Sequence, residues 1–229
     1  MQAVLFNTAR RSYEFGLDRV RISAVVTETV LQQVKSEFQF QIGTVASPVP
    51  TFGTVGAAIP PGVVFNYGSL SPTEGQIIPI RFIHFEPTRL VIDVAGRSSD
   101  IDKVYERLND ALSRTSLTVG QIIDGDPRAV KEYSELVATF DVSLEEAFVP
   151  NFRRTVAMHA TGPDALLAVG VSLEWLLRGE EYNGTGIGYL LQPRAGRPLE
   201  EHSYFSSAPL STEAHHSFLT ALERELTGR

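Results

Sequence analysis

The chain has 229 residues, 43% hydrophobic and 21% charged, so it carries enough apolar side chain for a core and does not have the composition of a disordered chain. Its 20 Lys and Arg against 27 Asp and Glu leave a net charge of -7, which argues against duplex nucleic acid as a ligand, because neutralising phosphates takes clustered cations. With no cysteine there is no disulfide framework, thiolate metal site or cysteine nucleophile, and the chain suits a reducing cytoplasm.

The N-terminal stretch MQAVLFNTARRSYEF lacks the basic-then-apolar order of a signal peptide. No apolar run approaches the ~20 residues needed to span a bilayer, so no membrane partner is expected. Val20, Ile22, Ala24 and Val26 alternate with polar neighbours and predict a strand with one buried face. TETVLQQVKSEF then changes period: Val30, Leu31, Val34 and Phe38 form a helical stripe, with Thr27 or Thr29 available as cap. Phe38, Phe40 and Ile42 return to strand alternation.

Residues 46–62, ASPVPTFGTVGAAIPPG, contain four prolines and no charge, which predicts a loop. It either packs on the body or serves as an apolar binding loop anchored by Phe52, Val55 and Ile59. IIPIRFIHF and RLVIDVAG read as two strands joined by a turn at Glu86, Pro87 and Thr88. SSDIDKVYERLNDALSR is the clearest helix, with Ser99 and Asp102 as a capping box and Ile101, Val104, Tyr105, Leu108 and Leu112 as its buried stripe.

Leu136, Ala138, Phe140 and Val142 predict another strand, followed by a short SLEEAF helical turn. FRRTVAMH, ALLAVGVSLEWLL, IGYLLQ and EHSYFS also read as strands. LSTEAHHSFLTALERELT closes the chain as an amphipathic helix capped by Ser211 or Thr212, with Phe218, Leu219, Leu222 and Leu226 inward. The expected fold is α+β, with antiparallel-dominated sheet and two principal helices. The element order repeats, which divides the chain into residues 1–115 and 116–229, as two similar halves each closed by a helix or as one continuous domain.

GEEYNGTGIGY, with Gly184, Gly186 and Gly188, resembles a phosphate cradle at first sight. A dinucleotide loop needs a helix after the glycines, whereas YLLQPRAG is broken by Pro193 and Gly196. The spacing also fails GxGxxG, and Asn183-Gly184 is a hairpin signal. Among the histidines, His84, His159, His202, His215 and His216, no spacing recommends a metal site, and the adjacent His215 and His216 read as solvated helix residues. Asp124 and Asp126 in IIDGDPRAV suit a turn better than magnesium. Arg153 and Arg154 point to opposite faces of a strand, and Arg194 and Arg197 in PRAGRP are turn residues with some capacity for an anion.

No catalytic set, cofactor or metal is assigned. The expected function is a non-catalytic interaction subunit or adaptor of a cytoplasmic assembly, binding a protein partner or a second copy through Phe52, Val55 and Ile59. The alternatives are a small-ligand-binding protein with a pocket between the halves, or an enzyme using His84, His159, His202, Asp124 or Asp126.

Overall fold

A computed structural model describes residues 3–17, 19–46, 62–73, 75–117, 119–144, 147, 173–175 and 188–228. The fold is α+β with antiparallel sheet. It forms two compact units, Thr8–Glu132 and Met1–Asn7 with Tyr133–Arg229. Among the described residues no helix is long and apolar enough to cross a membrane.

In the unit Thr8–Glu132 the strands are β1 (Ala3–Glu14, entering from residue 8), β2 (Ile42–Ala46), β3 (Gly62–Thr73), β4 (Gln76–Glu86) and β5 (Arg89–Val94). Their order is β2-β3-β4-β5-β1 and these neighbours pair antiparallel. The helices are α1 (Ile22–Val25), α2 (Glu28–Phe38), α3 (Ser98–Ser113) and α4 (Val119–Ile122). Alternation puts Phe85, Ile83, Leu90, Ile92 and Phe65 on the helix-facing side of the sheet, where they share one core with Val30, Val34 and Phe38 of α2 and Ile101, Val104, Leu108 and Leu112 of α3.

The inward phase of β4 changes from Ile78 and Ile80 to Ile83 and Phe85. A register irregularity against β5 between Ile80 and Phe82 absorbs the extra residue. Strand β3 switches at the same level, between the pairs Asn66↔Phe82 and Gly68↔Ile80, where Tyr67 adopts a φ of 58°. A Cβ on the neighbouring Gly68 would meet the Phe40 ring at 2.5 Å, so the close approach of the chain there requires glycine.

Three local expectations are corrected. The alternation from Val20 to Val26 is not a strand: only Val20 makes a bridge, to Ile123, and Ile22–Val25 turns into α1, with Val26 N bonding Ile22 O at 3.0 Å. Within this segment Val25 is buried and Val26 is exposed, the reverse of the phase that alternation predicts. Phe38 and Phe40 do not belong to β2, because Gln39 takes a left-handed φ of 52° that ends α2, and the strand starts at Ile42.

The third correction concerns the cap of α3. The N-cap is Arg97, whose backbone N–H donates to Asp100 Oδ2 at 3.1 Å, so the reciprocal carboxylate is Asp100. Ser99 lies exposed within the first turn, and Asp102 instead pairs with Arg11. Asp100→Ala should therefore cost about 1 kcal/mol, whereas Ser99→Ala should leave the urea midpoint within experimental error. Equal losses from the two would restore Ser99 as the cap.

In the other unit lie the first residues of β1 together with β6 (Ala129–Thr139, entering from residue 133), β7 (Leu173–Trp175), β8 (Tyr189–Pro193), β9 (Ser203–Ala208) and α5 (Thr212–Thr227). The order of the later strands is β6-β9-β8-β7, again antiparallel. Leu136 and Ala138 of β6 and Phe140 just after it face inward, packed with Leu191, Tyr204 and Leu219. Ser211 caps α5 by accepting from Ala214 N at 3.2 Å, and Phe218, Leu222 and Leu226 flank its buried Leu219. The predicted strand FRRTVAMH lies outside the described residues, as does most of ALLAVGVSLEWLL, of which 173–175 are in β7.

Candidate binding site

A cleft of about 610 Å³ opens where β6 ends and β9 begins. Its construction follows from the PRAGRP sequence. Pro193 closes β8, and Arg194 N then donates to Ser203 O at 2.9 Å, which ties the turn back onto β9. Arg197 N donates to Arg194 O at 3.2 Å, and Gly196 supplies the positive φ of 74° that the reversal needs. The short helical turn Leu199–Glu201 follows, and His202 takes a φ of 48° before β9. Phe140 N donates to His202 O at 3.0 Å, so the end of β6 holds this residue in its left-handed conformation.

Arg194, Arg197, His202, Thr139 and Ser203 line the cleft together with the carboxylates Asp141, Glu200 and Glu201. Thr139 and Ser203 are a register pair and share one face. Arg197 Nη1 lies 3.6 Å from Glu201 Oε2. The sequence had flagged Arg194, Arg197 and His202 separately; what it could not convey is that the turn brings all three to one opening.

A second polar group occupies the face of the larger unit's sheet opposite its core. His84 Nδ1 lies 3.1 Å from Glu86 Oε1, and Arg89 Nε donates to Glu86 Oε2 at 2.6 Å. Burial alone would push the Glu86 carboxyl up, but the hydrogen bonds from His84 and Arg89 outweigh it and hold the group below the usual carboxylate range. Among the described residues the buried His84 Nε2 has no hydrogen-bond partner. A Cβ on Gly62 would sit 2.9 Å from that nitrogen, so the start of β3 closely approaches the imidazole. On the same face, the fully buried Asp93 accepts from Arg10 Nη2 at 2.7 Å, and Arg10 lies over the Phe82 ring. Register pairs put His84, Val91 and Ser12 in line across β4, β5 and β1, which separates Ser12 from His84 by two strand spacings of roughly 4.8 Å and too far for a nucleophile–base pair.

The third group overturns a sequence expectation. His215 is not a solvated helix residue but fully buried, between Ser134 of β6 and Ser206 of β9. Ser206 Oγ donates to Leu190 O at 3.0 Å, so it accepts Nε2–H of His215 at 2.8 Å. Nδ1 is left to accept from Ser134 Oγ–H at 2.9 Å. Desolvation, with a smaller contribution from the neighbouring His216, lowers the His215 pKa to about 4. A serine–histidine pair of this kind looks catalytic on paper, yet both ring nitrogens are engaged and neither serine is open to solvent. The signal was available, since His215 stands four residues before Leu219 on the apolar stripe of α5.

The other candidates divide simply. Asp124 pairs with Arg19 beside Gly125 at φ 85°, as turn chemistry requires, and no group of three or more potential metal ligands occurs among the described residues. Phe52, Val55, Ile59, His159, Arg153, Arg154, Gly184 and Gly186 lie outside the described residues. The strands flanking the glycine stretch, β7 and β8, are antiparallel neighbours. The chain matches no known family model and no curated protein sequence.

Proposed function

We propose that the protein is a non-catalytic interaction subunit of a cytoplasmic assembly, which engages a protein partner through residues 46–62. The observation that carries this reading is the antiparallel pairing of Ala46 with Gly62. It fixes the two ends of a charge-free segment side by side, and β2 is the outermost strand of its unit's order. Phe52, Val55 and Ile59 are the apolar anchors within the segment. His84 lies beside Gly62, at the base of the segment. A second reading, small-ligand binding, is favoured by the Arg194 and His202 side chains gathered at the cleft.

The test is Phe52→Ala. An aromatic anchor contributes about 2 kcal/mol or more, so affinity for the partner should fall by roughly 30-fold or more with the melting temperature unchanged. A large fall in the melting temperature of the isolated variant would instead mark Phe52 as a core residue and sink the reading.

A further inference from the structure

We infer that the cleft between the 194–201 turn and the end of β6 binds a zwitterionic ligand by its carboxylate, as in a free amino acid or the C-terminus of a short peptide. This rests on the ligand-binding reading and is independent of residues 46–62. Among the described residues the Arg194 guanidinium, the His202 imidazole and the Thr139 and Ser203 hydroxyls make no side-chain hydrogen bond or ion pair. The acids are not in that state: Glu201 faces Arg197, and Glu200 and Asp141 each have an interaction of their own. The cleft therefore sets donors that no protein side chain engages beside three carboxylates.

A planar guanidinium fork with hydroxyl and imidazole donors around it matches a carboxylate. Asp141, Glu200 and Glu201 surround the same opening, so a multiply charged anion such as phosphate is repelled, while an ammonium group on the ligand is favoured. A volume of about 610 Å³ falls within the size range of ligand pockets and admits more than one amino-acid residue. Arg194 is held by its backbone bond to Ser203 O, which leaves its side chain for the ligand.

Calorimetric titration of the full chain with dialanine, dialanine amide, alanine and inorganic phosphate tests this. Dialanine should bind saturably, and its amide at least tenfold more weakly. Arg194→Ala should weaken dialanine binding at least tenfold, and Arg194→Lys less, with both variants melting at the wild-type temperature. Alanine binding as tightly as dialanine assigns the site to free amino acids, and weaker alanine binding assigns it to a peptide end. Equal binding of the amide, tighter binding of phosphate, an unchanged affinity in Arg194→Ala, or no saturable dialanine binding would each overturn the inference. Phe52→Ala should leave dialanine binding untouched, so failure here and failure of the partner reading are separate results.

Discussion

Acidification from pH 7 to pH 4 should remove about 3 kcal/mol of stability through His215 alone. Its pKa is about 4 in the folded protein against an ordinary value of 6.5. The unfolded chain takes up a proton as pH falls through the ordinary value, whereas the folded protein refuses it until the lower one. Within that window each pH unit favours unfolding by ~1.4 kcal/mol. The contribution is thus complete above about pH 6.5, declines down to about pH 4, and is absent below. The cause is structural: protonating Nδ1 takes away the acceptor that Ser134 uses and places a charge in a fully buried site. Denaturation midpoints of wild type and His215→Gln across this range should converge toward low pH, since other titrating groups are common to both. Parallel curves, or a ring resonance of His215 titrating near pH 6.5, would contradict the assignment.

Phe65→Ala should be the most damaging truncation in the larger unit, at about 3–5 kcal/mol. The ring is completely buried, with the Phe40 ring centroid at 5.4 Å and the Phe85 centroid at 6.2 Å. Ile77, 68% exposed on the neighbouring strand, is the control, and Ile77→Ala should change stability by no more than about 0.5 kcal/mol. Comparable losses from both would mean that the inward phases of β3 and β4 are wrong. Urea midpoints measure both variants directly.

The elements most legible in the sequence were those with unbroken periodicity, although β4 was also legible across its change of phase. Leu136 and Ala138 of β6 and Phe140 just beyond its end stand at every second position, and α3 and α5 carry continuous apolar stripes. Strand β1 escaped because its core-facing side includes Arg11, paired with Ile92 in register and neutralised by Glu132 at 2.7 Å and by Asp102. A charge at an inward position destroys alternation, although the long stem lets the guanidinium reach its partners. Strand β3 escaped because its inward phase changes at Tyr67, so that Val63 and Phe65 fall out of step with Leu70. Such a switch breaks the period-two pattern that marks a strand.

The candidate site was legible only in its parts. PRAGRP announced a turn with two arginines, and EHSYFS announced a strand start with a histidine. Their meeting depends on the Arg194–Ser203 backbone bond and on β9 pairing with the end of β6, both of which are tertiary facts. Asp93 and Glu86 were similarly hidden, since their positions opposite the core face of β5 and β4 predict exposure, whereas arginine and histidine partners allow both to be buried.

The partner claim is tested most directly by covalent capture from position 52. With Phe52→p-benzoylphenylalanine introduced in the native host, irradiation should yield one discrete adduct joining the chain to a second polypeptide, and the adduct should disappear when unlabelled wild-type protein is added in excess. Cross-links confined to the chain's own residues, with no intermolecular adduct, would contradict it.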